Sequence, residues 1–595
     1  MPNKVVTLFC AAIAVAGTLP VAGCSQLGKL RLPTVNPKQA LASIGRSPKV
    51  AHNVILFVGE GMGVSTVTAA HILEGQLAAQ SDGPAQTKDE ADKGEANLLS
   101  FERFTATALA KTYNTDLQVG ESAGAMTAMM TGKKTRGAAV AVDADQDPAL
   151  CQPAPPPKAA RSKPAAPTNA QPPLKGQLAT LLEEAKDAGL SVGLVTTGRV
   201  TQSVPAATYA HASDRDWEID SQMTADQLKA GCRDIARQLV DFDHHGGLDV
   251  VLGGGRQAFL PAQGGDDPAG LRQDGRNLID AWRHNPNNRT ALYVANAVQL
   301  GNANPKSDLP LLGLFAPDRL GLGDAVAARQ RGDEEPSLSD MTLKAIRALS
   351  NNRRGYVLVV DAAGIAAAHQ AGNAHGALME TIELSKAVDL ARQRTDPRTT
   401  LIIVTADQGS PLTIAGYPKR GNPILGLAPG ADALGRPYTT LGYANGPGGF
   451  PPGPSETAAA PTPAAAQPAA QAVTPADSGD WPTIDGRPLL VEPSPWRTSP
   501  RPLLTEAVAE DRDYVQAATV PLPFATHSGE AAPVYATGPG SQAVHGVMEQ
   551  EGIYRAMVAA LPPVSKVAKA AAATAAKSAR SAAKAAAKAP KSKAA

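Results

Sequence analysis

The 595-residue chain has almost no net charge, few cysteines and, past its N-terminus, no long apolar run. Each shortage excludes something. Lys and Arg (56) balance Asp and Glu (55), leaving +1 at neutral pH, so the composition makes no overall case for a nucleic-acid partner. No later segment approaches the roughly 20 apolar residues that a membrane-spanning helix needs, so the body of the chain is not expected to cross a bilayer. There are only four cysteines, Cys10, Cys24, Cys151 and Cys232. The wide gap between the last two fits no zinc-ligand spacing.

The N-terminus reads MPNKVVTLFCAAIAVAGTLPVAGC, a basic start followed by an apolar stretch and small residues. That is a signal peptide over residues 1–23, and it takes Cys10 with it. The VAG before Cys24 resembles a bacterial lipobox, which implies lipidation of Cys24 and a body on the periplasmic side of a membrane. Ser25 follows, with no aspartate to signal inner-membrane retention, so the outer membrane is expected. In an oxidising compartment the remaining pair, Cys151 and Cys232, is expected to form a disulfide.

A linker, residues 24–50, leads into a domain over 51–562. There, short runs rich in Val, Ile and Leu read as buried strands: Asn53–Val58, Ser191–Val195, Asp249–Leu252, Tyr356–Val360 and Leu401–Thr405. Helical patterns such as GQLATLLEEAKDAG and ALMETIELSKAVDLARQ separate them. The fold class expected is α/β, a three-layer sandwich of a mostly parallel sheet with helices on both faces. Residues 152–173 and 451–480 are Pro/Ala-rich and read as flexible inserts. From residue 563 the chain is Lys/Ala-rich and lacks carboxylates, so it reads as a basic tail with no apolar face to pack.

Ligands in open α/β sheets bind beyond the carboxyl ends of the strands. Three expected strands run into an acid there: Glu60, Asp361 and Asp407. One such acid is ordinarily a helix cap, but three converging on one rim repel unless a cation lies between them, which suggests a divalent-metal hydrolase. Gly120-Glu121-Ser122-Ala123-Gly124 also fits the G-x-S-x-G elbow of serine esterases. The polar KTYNTDLQV before it is no buried strand, and no HGG stands upstream of it for an oxyanion loop. His244-His245 reads as a surface loop rather than a metal site. Gly253–Gly255 reads as a tight turn after a strand, since a phosphate loop would need a lysine that is absent.

Eight segments occur in an order shared with a known family. They include NVILFVGEGMGVSTVTAAHI, KTYNTDLQVGESAGAMTAMMTGKKT, VTTGRVTQSVPAATYAHASDRDWEID, YVLVVDAAGIAAAHQAGNAHG and ATHSGEAAPVYATGPGSQAVHGVMEQ. In these the chain resembles an alkaline phosphatase, of the kind closest to the animal enzymes. The resemblance implies phosphomonoester hydrolysis with two zinc ions and one magnesium. It makes Ser122 the nucleophile, at a helix start that favours an anion, and Arg215 the phosphoryl-binding arginine. It implies a smaller excursion over 409–526 and a homodimer.

The same resemblance shows what is replaced. The first zinc's Asp–His pair reads Ala366 and Gln370, leaving His527. At the second, Asp407 remains, an aspartate has become Glu60, and the histidine is Gln408. The magnesium positions read Glu60, Val204 and Asp361. Glu121 stands for an aspartate that helps to orient the arginine. His369, beside Gln370, is turned away by about 100° if the stretch is helical. Alanine and valine offer no donor, and a carboxamide is a poor zinc ligand beside imidazole. The expected cofactor content is at most one weakly bound divalent cation. The expected function is that of a family member with lost or strongly reduced phosphatase activity. One alternative is an active phosphatase using fewer metals; another is a non-catalytic anion-binding or envelope scaffold protein. Expected partners are a phosphate ester or other small anion, the membrane through the lipid anchor, and anionic envelope polymers for the tail, which otherwise only solubilises.

Overall fold

The computed structural model describes residues 50–81, 93–145, 176–263, 270–284, 290–322, 335–432, 435–449, 504–571 and 573. Cys24, Cys151 and both Pro/Ala-rich inserts lie outside them. The apolar runs form strands whose two faces feed separate cores. In β1 (Asn53–Gly59), Val54, Leu56 and Val58 enter one core and Ile55 and Phe57 the other. β7 (Tyr356–Ala362) and β8 (Thr400–Thr405) alternate in the same way. Burial on both faces explains why these runs are continuous rather than alternating. Each such side chain contributes roughly 1.5–3 kcal/mol by leaving water.

The described residues place ten strands in the main sheet, in the order β13-β2-β12-β8-β1-β7-β3-β4-β6-β5. The further members are β2 (Ala106–Lys111), β3 (Ser191–Arg199), β4 (Val250–Gly254), β5 (Leu292–Val294), β6 (Leu311–Leu314), β12 (Ala532–Thr537) and β13 (Gly546–Glu549). All pairings are parallel except those of β12, which runs antiparallel to β8 and β2. One face is covered by α1 (Val64–Ser81) and others, the opposite face by α2 (Ser122–Thr131), α3 (Leu181–Asp187) and α4 (Ile235–Val240). α5 (Leu338–Leu349), α6 (Ala363–Gln370) and α7 (Ala374–Arg394) lie with α1, and α8 (Glu551–Ala560) lies with α2. This is the three-layer α/β sandwich expected.

Helix starts follow local chemistry. Thr180 and Glu183 close a reciprocal capping box at α3, and Ser337 and Asp340 do so at α5. Within residues 409–526, β9 (Leu412–Ile414), β10 (Leu441–Gly446) and β11 (Ala518–Pro521) make a separate three-stranded sheet. After α8 the chain is again helical over 562–571, and Val564 is fully buried in the core. The packed domain therefore runs a few residues into the Lys/Ala-rich segment: one valine per turn suffices where a groove receives it. Among the described residues no helix is long and apolar enough to cross a membrane.

Candidate active site

β8, β1, β7 and β3 are adjacent and parallel, so their carboxyl ends form one rim. Register aligns Val58 with both Thr405 and Asp361, and Asp361 with Thr196. Glu60, Asp361 and Asp407 thus converge as the sequence suggested, and all three are buried. Thr196 Oγ1 donates to Asp361 Oδ2 at 2.6 Å, and Gln202 Nε2 donates to Glu60 Oε2 at 3.2 Å. The Gly61 and Gln408 N–H groups donate to Asp407 Oδ1 at 3.0 and 2.9 Å. Asp361 Oδ1, Asp407 Oδ2 and Gln408 Oε1 have no hydrogen-bond partner among the described residues.

Without compensating charge this cluster resists ionisation. Burial pushes the Asp361 carboxyl up to about 8; the Thr196 hydroxyl opposes the rise, the charge of Asp407 adds to it, and a hydrogen bond with Glu60 opposes it. Asp407 is also raised by burial, against the charge of His527 and hydrogen bonds from Gly61, Ser122 and Gln408.

Ser122 opens α2 after a ten-residue loop from β2, not directly after a strand, which rules out the esterase elbow geometry. A side chain on Gly120 would be driven into the Thr112 carbonyl, so the tight approach of that loop requires glycine. Glu121 is the N-cap: its backbone N–H donates to Asn114 Oδ1 at 2.7 Å, and its Oε2 accepts from the Ala123 N–H at 3.0 Å. The other oxygen, Oε1, is ion-paired with the guanidinium of Arg215. Ser122 and Arg215 are therefore brought to one place, as expected, but a resident carboxylate already partly satisfies both the helix start and the arginine. Gln408 Nε2 donates to Ser122 Oγ at 3.1 Å, and His527 Nδ1 donates to the Gly120 carbonyl at 3.1 Å.

Ala366 sits on α6 and Val204 on a short helix, Ser203–Ala206, both buried; Gln370 is at the last turn of α6. His369 is indeed turned away. It is buried between Thr66 Oγ1 (3.0 Å) and the Tyr443 hydroxyl (2.7 Å), and burial lowers its pKa to about 3. Among the described residues no group of three or more His, Cys, Asp or Glu side chains is arranged to hold a metal ion. The donor set, with a methyl, an isopropyl and two carboxamides at the positions that the resemblance gives to metal ligands, does not fit two zinc ions and a magnesium.

Three contributors escaped the sequence reading. Thr196 and Gln202 hold Asp361 and Glu60, and Gln550, buried beneath the rim, donates to the Asp407 carbonyl at 2.6 Å. Gln202 lies two residues before Val204, and that proximity was the available signal. Gly255 adopts φ +91°, matching the tight turn expected. The sequence reading of a surface loop is met by a short 3-10 turn, His244–Gly246, in which His245 is exposed; both histidines lie beside Asp187, and His244 also meets Glu183. Cys232 is buried.

A sequence model of the alkaline phosphatase family matches residues 51–481 and 498–562. The chain is 39% identical over 524 residues to the tissue-nonspecific alkaline phosphatase of Gallus gallus, covering 86% of this chain and 84% of that protein. It is 36% identical over 519 residues to the alkaline phosphatase of Gadus morhua, covering 86% and 91%. Among solved structures, the Thermus thermophilus enzyme superposes with a TM-score of 0.54 at 20% identity, covering 91% of this chain and 100% of that one. The Shewanella sp. enzyme gives 0.51 at 21% identity, with 86% and 100% covered. At those identities the two structures speak for the fold.

Proposed function

This chain belongs to the alkaline phosphatase family, and on that premise we propose that it recognises a phosphate ester or similar small anion with hydrolytic activity lost or strongly reduced. One observation supports this above the others: the rim acids are held by Thr196, Gln202 and backbone N–H groups, while the ligand positions around them read Val204, Ala366, Gln370 and Gln408. Among the described residues Ser122 then has the Gln408 amide donating to its oxygen and the Asp407 carboxyl, which burial biases toward its protonated form, as the acceptor of its hydroxyl. A carboxamide donating to a hydroxyl neither removes its proton nor lowers its pKa enough to make an alkoxide. Losing such activation costs several kcal/mol of transition-state stabilisation, at about tenfold in rate per 1.4 kcal/mol.

What remains is a cradle. Arg215, the Ser122 hydroxyl and the start of α2 suit an anion that displaces or shares the hold of Glu121. A second reading, an active phosphatase with fewer metals, is favoured by the unpartnered oxygens of Asp361, Asp407 and Gln408, which suit one hard oxygen-preferring cation such as Mg²⁺ or Ca²⁺. Both readings place the protein, by its N-terminal sequence, on the periplasmic side of the outer membrane, with Cys24 lipidated and Cys151–Cys232 as a disulfide. A homodimer is the assembly proposed by kinship.

Turnover of p-nitrophenyl phosphate, with and without EDTA, tests the two. The first reading expects a rate near the background of a Ser122→Ala variant. Robust turnover that EDTA abolishes and Ser122→Ala removes overturns it in favour of the second.

A further inference from the structure

A chain of alternating bases and acids runs from the buried His211 and Glu183 out to the partly exposed His244 and Asp187. His211 Nδ1 donates to the Ala141 carbonyl at 3.0 Å, and its Nε2 meets Glu183 Oε1 at 2.9 Å. The same Glu183 oxygen lies 3.3 Å from His244 Nε2, and His244 Nδ1 is 3.0 Å from Asp187 Oδ1. Glu183 Oε2 is taken by the Thr180 N–H, so the capping box of α3 fixes the middle of the chain. Both backbone groups of His211 are held as well, by the carboxamide of Gln238 at 2.9 and 3.1 Å.

The inner end of this chain grips what the cradle is built on. Ala141 is a non-glycine residue at φ +44°, a strained conformation that needs support from its neighbours. Its N–H donates to Thr127 Oγ1 on α2 at 2.9 Å, and Thr127 Oγ1 in turn donates to the Ala139 carbonyl at 3.1 Å. Val140 bridges to Ala212, and the Arg215 N–H donates to the Ala138 carbonyl at 2.8 Å. Segment 138–141 is thus the spacer between the serine helix and the arginine loop, and His211 pins its strained residue.

The outer end reaches solvent. His244 lines a pocket of about 80 Å³, and its side chain is 30% exposed. From α3 it faces Glu183 and Asp187; His245 and Asp243 flank it in its own turn; His211, Tyr209, Arg233 and Asp241 line the same pocket. Phe242 packs its ring 5.2 Å from the imidazole. Because both ring nitrogens meet carboxylate oxygens, a neutral ring would turn a lone pair toward one of them.

Resting on the anion-binding reading above, we infer that the chain His211–Glu183–His244–Asp187 positions Arg215 against the Ser122 helix, and that loss of the His244 proton loosens the anion cradle. His211 and Glu183 are positioning residues, and His244 is the solvent-accessible end through which pH acts. Titration supports the direction. Burial disfavours the charged His244 ring, but Glu183 and then Asp187 outweigh it and hold its pKa up at about 9. Burial likewise opposes ionisation of Glu183, yet His211 and His244 keep its carboxyl far below the usual range. A histidine raised in the folded state contributes in full below about 6.5, and the contribution is lost as pH rises through about 9.

Sulfate binding to the full-length protein by calorimetry at pH 6.5 and 9.5 tests the coupling, since sulfate keeps its charge across that range. His244→Gln is expected to weaken sulfate about fivefold at pH 6.5 and hardly at all at pH 9.5. His244→Lys, which keeps a cation, is expected to flatten the difference. Equal wild-type to His244→Gln ratios at both pH values overturn the inference. If the wild-type protein binds no sulfate, the anion-binding reading fails separately. Amide exchange of residues 138–141 and 211–215 then decides: faster exchange in His244→Gln at pH 6.5 supports the coupling, and unchanged exchange overturns it.

Discussion

Replacing Asp361 by asparagine perturbs the rim where its electrostatics are least favourable. The residue is fully buried, and its folded pKa is about 8 against 3.8 in an open chain. Between those values the folded state holds a proton that the unfolded state has released. Stability therefore falls as pH rises from about 4 to about 8, by no more than about 1.4 kcal/mol per pH unit, and levels off above. By pH 7 the accumulated cost is on the order of 4 kcal/mol at most, and less if the site opens to water. Asparagine mimics the protonated acid: its oxygen can accept from Thr196, and its amide can face Glu60. Urea unfolding in EDTA is expected to show Asp361→Asn equal to wild type near pH 4, more stable by a few kcal/mol at pH 8, and with a flatter pH profile in between. A variant less stable than wild type at pH 8 refutes the reasoning, because it means that the acid is needed as a charge, as it would be around a bound cation.

Arg215→Ala removes the charge-assisted contact to the anion and is expected to weaken inorganic phosphate binding about 10- to 100-fold, read by calorimetry. Unchanged affinity would move the anion site elsewhere. Gly120→Ala forces a methyl into the Thr112 carbonyl and is expected to lower the urea midpoint by about 1–3 kcal/mol of stability. Truncation after residue 571 is expected to leave the midpoint unchanged and abolish salt-dependent binding to anionic vesicles, whereas truncation after 563 also removes buried Val564 and lowers the midpoint. Vesicle binding that is indifferent to the first truncation makes the tail a solvating segment.

The central strands were legible because burial on both faces demands continuous Val, Ile and Leu, as in NVILFV and LIIVT. β2 and β12, reading ATALAK and APVYAT, were not, because small residues and alternation leave no apolar run. β5 and β6 are short strands that no run marked. At the site the rim acids were legible from their place after strands, whereas Ser122 was legible as a phosphatase serine only through the family resemblance, since G-x-S-x-G alone pointed to an esterase elbow. Thr196, Gln202 and Gln550 were not, because a hydroxyl or carboxamide acquires a role only from the acid that the fold brings to it. His244 was read as part of a surface loop and lies in a short 3-10 turn; its partners on α3 are 57 and 61 residues away in sequence, beyond what local pattern shows. Val564 packs although its segment lacks an apolar face, since one groove in the core receives one side chain.

Metal stoichiometry tests the central claim most directly. The full-length protein, purified, incubated with zinc and magnesium and freed of excess, is measured by elemental mass spectrometry. The account predicts no stoichiometric zinc and at most one weakly held hard cation per chain. Two tightly bound zinc ions per chain contradict it.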